Sequence, residues 1–236
     1  MQKKVSVAMA TYNGEKYIKE QIKSILECLE ENDELVISDD GSTDNTLGII
    51  NSFNDNRIVL IDGPKKGIKQ NFANAIKNTS GEYIFLSDQD DIWKKDKVTE
   101  VLKCFEEKKC TLVVHDAEVV DENLNMTMDS YYNFRNSGKG IIKNIYKNTY
   151  IGCCMAFSSK VKKYILPIPN DIEMHDQWIG VLNDKYGKTY FSEKKLIKYR
   201  RHSLNNSQMK HYGIIKMIKN RLIFIFRYME RVYEKR

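Results

Sequence analysis

The chain has 236 residues, of which 42% are hydrophobic and 30% charged, with 12 Gly and 3 Pro. This balance supports a buried core and excludes collagen-like, Pro-rich and wholly disordered chains. The formal net charge of +6 is confined to the C-terminal end, because residues 210–236 hold eight Lys/Arg and two acids while residues 1–209 are balanced. No nucleic-acid partner is predicted, since a nucleic-acid-binding domain would carry basic charge over its main body.

The first 121 residues alternate between strand and helix patterns. Strands are predicted at 5–9, 35–38, 57–61, 83–87 and 111–115, and helices at 15–29, 44–53, 70–78 and 97–107. This alternation predicts an α/β fold with a mostly parallel central sheet flanked by helices. In such sheets, ligands bind at the carboxyl ends of the strands.

The second half of the chain is less regular. Residues 122–140 are polar and predict a long loop or a small insertion, and 151–157 predicts a buried strand. A helix is predicted at 176–186, and two strand pieces are predicted within 188–201. Because no linker pattern occurs before about residue 210, we predict one catalytic domain over 1–209 and a helical tail over 210–236.

The tail has the pattern of a basic amphipathic C-terminal helix. Its apolar stripe recurs at spacings of three and four residues and consists of Ile214, Ile218, Leu222, Ile225, Met229 and Val232. Three interpretations compete: the stripe packs on the catalytic domain, lies in a membrane interface attracted by anionic lipid, or pairs with a second subunit as a homodimer.

Five cysteines without a C-x-x-C pair favour a reducing compartment over a disulfide framework or a cysteine zinc site. The N-terminal apolar run VSVAMA is shorter than a signal-peptide core, and no uncharged apolar stretch approaches the roughly 20 residues of a membrane span. We therefore predict a cytoplasmic protein, with peripheral contact to the inner face of the cell membrane through residues 210–236 as the additional possibility.

Carboxylates cluster where two predicted strands end. Asp39 and Asp40 lie in VISDDGSTD, and Asp88, Asp90 and Asp91 lie in YIFLSDQDDIW. The Asp-x-Asp spacing puts two side chains on one side of an extended backbone, where they can share Mg²⁺ or Mn²⁺. The competing interpretation is that these acids are helix caps and solvated turn residues. Motifs of dinucleotide enzymes, P-loop NTPases and serine hydrolases do not occur.

Three segments, taken in order, resemble the family 2 glycosyltransferases, which are inverting enzymes of the GT-A fold. They are VAMATYNGEKYIKEQIKSIL, VISDDGSTDNT and GEYIFLSDQDDIW, and the similarity extends over nearly all of 3–202. The segments SDQDDIW, GCCMAF, HDQW and YRRHSLNNS are similar to the bacterial rhamnosyltransferase branch. The resemblance implies a donor half at about 1–121 and an acceptor half at about 122–209.

The resemblance also implies the substrates. The donor is dTDP-L-rhamnose or, alternatively, a UDP-sugar. The acceptor is a growing cell-surface polysaccharide, such as capsule or O-antigen, or a polyprenyl-diphosphate-linked glycan.

The resemblance assigns the nucleotide base to the end of the first strand. Ala10, Thr11 and Tyr12 match the segment that cups the base, with Tyr12 stacking against it, and Glu15 matches an acid that supports the donor site. Asp40 matches the carboxylate that accepts a hydrogen bond from the imide N–H of uracil or thymine. Cytosine lacks this N–H and would be rejected.

The metal and the diphosphate are assigned to the Asp-x-Asp motif. Asp88 and Gln89 match donor-binding positions, and Asp88 and Asp90 match the metal ligands, with Asp90 in direct contact. His202 matches a late histidine that ligates the metal in some GT-A enzymes; its alternative is an ordinary hydrogen-bonded residue. The residues that match the region near the ribose and sugar are Lys66, Gly67 and Asn71.

Asp176, in MHDQW, matches the general base of the family. In an inverting transfer, the acceptor hydroxyl loses a proton as it attacks, so a carboxylate is needed on the acceptor side. Without the resemblance, the preferred explanation of Asp176 is an acid stabilised at a helix N-terminus. The acceptor-side residues that the resemblance implies are Gly152, Cys153, His175 and Trp178.

Two other function classes compete with an active transferase. One is a non-catalytic sugar-nucleotide-binding partner subunit, which the intact Asp40, Asp88, Asp90 and Asp176 disfavour. The other is a nucleotidyltransferase, which also uses strand-end carboxylates but needs a Gly-rich N-terminal phosphate loop that is absent from this sequence.

Overall fold

A central sheet of nine strands organises the computed structural model, which describes residues 4–203, 205 and 213–235. The strands are β1 (Val5–Thr11), β2 (Glu34–Asp39), β3 (Ile58–Asp62), β4 (Tyr83–Ser87), β5 (Ile92–Trp93), β6 (Leu112–Val120), β7 (Met126–Met128), β8 (Met155–Ser158) and β9 (Thr189–Arg200). The α-helices are α1 (Ile18–Leu26), α2 (Thr46–Asn51), α3 (Ile68–Asn78), α4 (Lys97–Lys108), α5 (Tyr131–Arg135), α6 (Ile141–Tyr146), α7 (Lys162–Ile165), α8 (His175–Tyr186) and α9 (Ile214–Glu234).

The sheet order is β3-β2-β1-β4-β8-β6-β9-β5, with β7 paired to β6. The first four strands in this order are parallel to one another, as the alternation of strands and helices predicts. Thr11 therefore lies opposite Asp39, and Met9 lies opposite Ser87, so the carboxyl ends of β1, β2 and β4 meet at one edge. The predicted α/β fold is confirmed, and the parallel part of its sheet comes from the first half of the chain.

The second half of the sheet is mixed. Strand β8 runs antiparallel to both β4 and β6, while β9 is parallel to β6 and antiparallel to β5. Strand β8 therefore joins the parallel half of the sheet to the mixed half. Because β8 is antiparallel to β4, the chain that precedes β8 lies beside the carboxyl end of β4.

Three local predictions in the second half are corrected. Residues Gly152–Cys154 form a 3-10 turn before β8 instead of belonging to a strand, because a short apolar run does not distinguish the two. The two strand pieces within 188–201 are one strand, β9, whose alternation is interrupted where its register with β6 shifts near Asp116. Residues 122–140, predicted as a long loop or a small insertion, contain β7 and α5, so the loop alternative is wrong.

Helix α9 docks on the domain through a face that the sequence did not single out. Phe224 is 2% exposed, and its ring meets the edge of Trp178 at a centroid distance of 5.9 Å. Arg231 is also buried and donates hydrogen bonds to the carbonyl oxygens of Tyr164 and Pro167, both at 2.8 Å. These contacts satisfy carbonyl groups that would otherwise lie buried without a partner.

The interpretation in which the apolar stripe of the tail packs on the catalytic domain is wrong. Ile214, Leu222 and Met229 are 71%, 62% and 64% exposed. Periodicity defines an apolar arc, but here the carbonyl partners of Arg231 and the pocket for Phe224 decide which arc is buried. Within the described residues, no helix has both the length and the apolar character needed to cross a bilayer.

A pair of phenylalanines tests this docking. We expect Phe224→Ala to lower the free energy of unfolding by about 3 kcal/mol, because it empties a buried site. Phe226→Ala is the matched control: Phe226 is 63% exposed, and its removal should change stability by less than about 0.5 kcal/mol. Chemical denaturation measures both values, and equal losses would contradict the docking face.

Candidate active site

The turn after β2 is built around Asp39. Its Oδ2 accepts a hydrogen bond from Thr11 Oγ1 at 2.8 Å, and its Oδ1 accepts from the backbone N–H groups of Gly41 and Ser42 at 3.1 and 2.8 Å. The side chain of Asp39 is buried. Asp39 therefore shapes the turn, and the neighbouring Asp40 is the carboxylate that faces outward.

Asp40 is half-buried and holds the loop before α3. Its Oδ1 accepts from the backbone N–H of Lys65 at 2.6 Å, and its Oδ2 accepts from that of Gly67 at 2.8 Å. Gly67 has φ +82°, a conformation that favours glycine. A carboxylate has about four lone-pair sites, so each oxygen of Asp40 retains capacity for a further donor.

The other sequence-predicted donor residues lie around the same edge. Tyr12 is 56% exposed, as a ring that stacks on a base must be, and Lys66 is exposed. Gln89 binds the backbone of Tyr12 through both its amide atoms, at 3.0 and 3.2 Å. Ala10 and Thr11 are buried at the end of β1.

Glu15 and Asn71 act on the backbone of this edge. Glu15 Oε2 accepts from the N–H of Asn45 at 2.8 Å, where α2 begins. Asn71 is buried and donates to the carbonyl oxygens of Thr11 and Ser38 at 3.0 and 2.8 Å. Both residues hold strand-end loops in place.

The acids after β4 divide into two groups. Ligand atoms of Asp88, Asp91 and Cys153 lie within 4.8 Å of one another. Asp91 is fully buried, and its Oδ1 accepts from the N–H of Arg200 at 3.0 Å. The thiol of Cys153 lies beside both carboxyl groups. Asp91 thus points inward, into a set of contacts that secures the end of β9.

Asp90 points toward the other group. Its Oδ2 lies 2.8 Å from Nε2 of His202 and 3.1 Å from Nδ2 of Asn205. The ring of His202 stacks on Tyr17 at a centroid distance of 4.5 Å. Two donor atoms 2.8 Å apart are spaced as adjacent ligands of an ion with bonds of about 2.1 Å, so Asp90 and His202 fit a small divalent cation.

Burial dominates the electrostatics of these carboxyl groups. It raises the pKa of Asp88 to about 7, with further increases from the charges of Asp90 and Asp176. Burial also raises the pKa of Asp91 well above its usual value, and raises that of Asp90 against the opposing hydrogen bond from His202. A nearby cation would lower these pKa values by favouring the ionised carboxylates.

Asp176 lies at the start of α8, within electrostatic reach of Asp88. Its Oδ1 accepts from the N–H of Gln177 at 2.6 Å and from Nδ2 of Asn148 at 3.0 Å. Burial raises the pKa of Asp176 to about 6, while these hydrogen bonds and the charge of Arg135 oppose the increase. The result is an oriented carboxylate that can take up a proton near neutral pH.

Comparison with known proteins identifies the family. The profile described as "Glycosyl transferase family 2" matches residues 6–166. The chain belongs to glycosyltransferase family 2. The dTDP-rhamnosyl transferase RfbG of Shigella flexneri is 34% identical over 218 residues, which are 84% of this chain and 72% of RfbG.

Two further proteins extend this family 2 comparison. The UDP-Glc:alpha-D-GlcNAc-diphosphoundecaprenol beta-1,3-glucosyltransferase WfgD of Escherichia coli is 28% identical over 76% of this chain and 70% of WfgD. The crystal structure of S. aureus TarS 1-349 in complex with UDP-GlcNAc superposes with a TM-score of 0.69 at 20% identity, over 93% of this chain and 64% of that chain. The fold is therefore that of the GT-A glycosyltransferases.

The acceptor-side residues of this family 2 chain are all buried. Gly152 lies against α8, where an added Cβ would come within 3.1 Å of His175 Nε2. His175 stacks on Phe72 at 4.1 Å, and burial lowers its pKa to about 3, so its ring is neutral. Cys153 and Trp178 are fully buried. All four residues therefore lie beneath the surface of the site, as parts of its supporting core.

Sequence reasoning missed Lys97, which is fully buried. Its Nζ donates to the carbonyl oxygen of Cys153 at 2.9 Å and lies 3.8 Å from the centroid of the Trp93 ring. Burial lowers its pKa to about 8, and its positive charge opposes the increase in the pKa of Asp88. Nothing in the charged run KKDK distinguishes this lysine from its solvated neighbours.

Proposed function

We propose that the chain is a metal-dependent inverting glycosyltransferase that moves L-rhamnose from dTDP-L-rhamnose to a growing polysaccharide or lipid-linked glycan. The observation that carries this proposal is the proximity of two sets of carboxylates: Asp88 and Asp90 after β4, and Asp176 at the start of α8. The names of RfbG and WfgD support the rhamnosyl donor and the lipid-linked acceptor, respectively.

Asp176 is the general base of the proposed reaction. The acceptor oxygen forms a bond to the anomeric carbon, the bond from that carbon to the diphosphate breaks, and the acceptor proton passes to the carboxylate of Asp176. Asn148 and the N–H of Gln177 both bind Oδ1, so the carboxylate is oriented before the acceptor arrives.

The cation site of the proposal consists of Asp90 and His202, with Asp88 beside them. Carboxylate oxygens suit Mg²⁺ or Mn²⁺, whereas the thiol of Cys153 is too soft a ligand for either ion. When bound, the cation supplies positive charge to the departing nucleoside diphosphate. Asp91 lies instead with Asp88 and Cys153, and its Oδ1 accepts from the N–H of Arg200.

The base site of the proposal consists of Tyr12 and Asp40. The exposed ring of Tyr12 stacks on the base, and the carboxylate of Asp40 accepts a hydrogen bond from the imide N–H of that base. Uracil and thymine share this N–H and differ by one methyl, which provides discrimination of only about 10- to 200-fold. The preference for thymidine over uridine donors is therefore expected to be modest.

The activity should fall in acid. Burial raises the pKa of Asp176 to about 6, and the base must be ionised to accept a proton. We expect kcat/KM, measured with saturating Mn²⁺, to be constant above pH 7 and to decrease about tenfold per pH unit below about 6. A profile that stays flat down to pH 5 would contradict the assignment of Asp176.

A donor screen tests the proposed function as a whole. Thermal shift and donor hydrolysis are measured with dTDP-rhamnose, UDP-sugars and GDP-sugars, each with Mn²⁺ and with EDTA. We expect dTDP-rhamnose with Mn²⁺ to give the largest stabilisation and to release nucleoside diphosphate. Stabilisation by GDP-sugars alone would contradict the role of Asp40, and release of pyrophosphate would indicate a nucleotidyltransferase.

A further inference from the structure

Helix α9 presents a continuous apolar face to solvent. Its members, each between 37% and 86% exposed, are Ile214, Ile215, Ile218, Leu222, Ile225, Phe226, Met229 and Tyr233. At about 100° per residue, they occupy one arc of the helix, well separated from Phe224 and Arg231 on the docked side. We call this arc the outer face of α9.

The apolar surface continues onto α6. Arg221 binds the carbonyl oxygen of Tyr146 through Nε at 3.0 Å and Nη2 at 2.8 Å, and its guanidinium lies 4.4 Å from the centroid of the Tyr146 ring. Tyr146 is 69% exposed, and Ile142, on the same short helix, is 86% exposed. The two helices therefore form one apolar surface built from separate parts of the chain.

The two segments that contain α6 and α9 carry the positive charge of the chain. Residues 131–148 contain Arg135, Lys139, Lys143 and Lys147 and no acid. Residues 213–235 contain six basic and two acidic side chains, so the two segments together carry +8. Because the whole chain carries +6, the remaining residues carry −2. Charge is thus strongly segregated toward α6 and α9.

Acids near α9 do not neutralise its outer face. Asp171 pairs with Arg227 at 2.9 Å, and Glu173 accepts from Asn220 at 2.9 Å. Arg227 and Asn220, the α9 partners of these two acids, lie away from the outer face and toward the docked side of the helix. Lys139, Lys143 and Lys147 are exposed beside the apolar side chains of α6.

We propose that α6 and the outer face of α9 dock on an anionic lipid surface. Apolar side chains flanked by lysines, with tyrosines at the margin, are the composition of helices that lie in the bilayer interface. A helix of 21 residues extends about 31 Å and would lie flat. Pairing with a second copy of this chain would bring two positive surfaces together, whereas anionic headgroups complement the charge.

Vesicle flotation of the full chain tests the lipid preference directly. We expect binding to phosphatidylcholine vesicles containing phosphatidylglycerol at least about tenfold stronger than to phosphatidylcholine alone, and weaker at high salt. Equal binding to both vesicles, or binding to neither, would overturn the proposal. The readout needs no substrate, so it is independent of the proposed glycosyl transfer.

A matched pair of methionines tests the surface itself. Met229→Glu places a charge on the outer face of α9, while Met126→Glu makes the same change at an exposed methionine of β7 (64% and 58% exposed, respectively). We expect at least about a tenfold loss of vesicle affinity for Met229→Glu and none for Met126→Glu. Lys143→Gln should weaken binding roughly fivefold.

Other outcomes of this comparison would overturn the proposal. Equal affinities of the two methionine variants would show that vesicles bind elsewhere. A wild-type dimer that Met229→Glu converts to a monomer, without vesicle binding by either, would assign the outer face of α9 to a second copy. Thermal unfolding of each variant verifies that the folded state is retained.

Discussion

We expect Asp176→Asn to lower kcat by about 10²- to 10⁴-fold while donor affinity stays within about twofold. The amide keeps the oxygen that accepts from Asn148 and from the N–H of Gln177, so the start of α8 should keep its structure. The amide has no carboxylate that can take up a proton, so nothing removes the proton of the attacking hydroxyl. The loss should appear in turnover and be absent from donor binding.

Steady-state kinetics and donor titration measure the two quantities. Asp171→Asn is the matched control, because Asp171 pairs with Arg227 at the surface and has no contact with the proposed reacting groups. It should retain full turnover. If Asp176→Asn retained turnover close to that of the wild type, Asp176 would not be the base, and its role would be that of an acid at a helix N-terminus.

Asp90→Asn and His202→Ala are each expected to weaken Mn²⁺-dependent donor binding by at least about 100-fold. Substitution of a residue that only supports a metal ligand lowers metal affinity or activity about 10- to 100-fold, so loss of the ligand itself should cause a larger decrease. Asp90 Oδ2 and His202 Nε2 lie 2.8 Å apart; Asp90→Asn removes the negative charge of one of these two ligands, and His202→Ala removes the other ligand. Donor affinity in EDTA should change little.

Asp91→Asn separates the two groups of acids. Burial raises the pKa of Asp91 well above its usual value and so favours the neutral acid. Asparagine resembles that neutral form. The amide oxygen can still accept from the N–H of Arg200. Metal-dependent binding should persist in this variant. If Asp91→Asn abolished it and Asp90→Asn did not, the ion would belong with Asp88, Asp91 and Cys153.

The order of the parallel strands could be predicted because it follows from local patterns. Short apolar runs separated by amphipathic helices produce parallel pairing, and parallel pairing brings the ends of β2 and β4 to one edge. The sequence alone therefore predicted that Asp40 and Asp88 line one crevice. The 3-10 turn at Gly152–Cys154 and the shifted register of β9 were not predictable, because both depend on partners distant in sequence.

Sequence alone determined the α/β class, the edge at which the acids collect, and the amphipathic character of the tail, since all three depend on residues close together in the chain. Tertiary packing decided the rest. It turned Asp91 inward and Asp90 toward His202, buried Lys97 behind the site, and docked α9 through Phe224. These outcomes depend on which buried groups find hydrogen-bond partners, and those partners lie up to 112 residues apart.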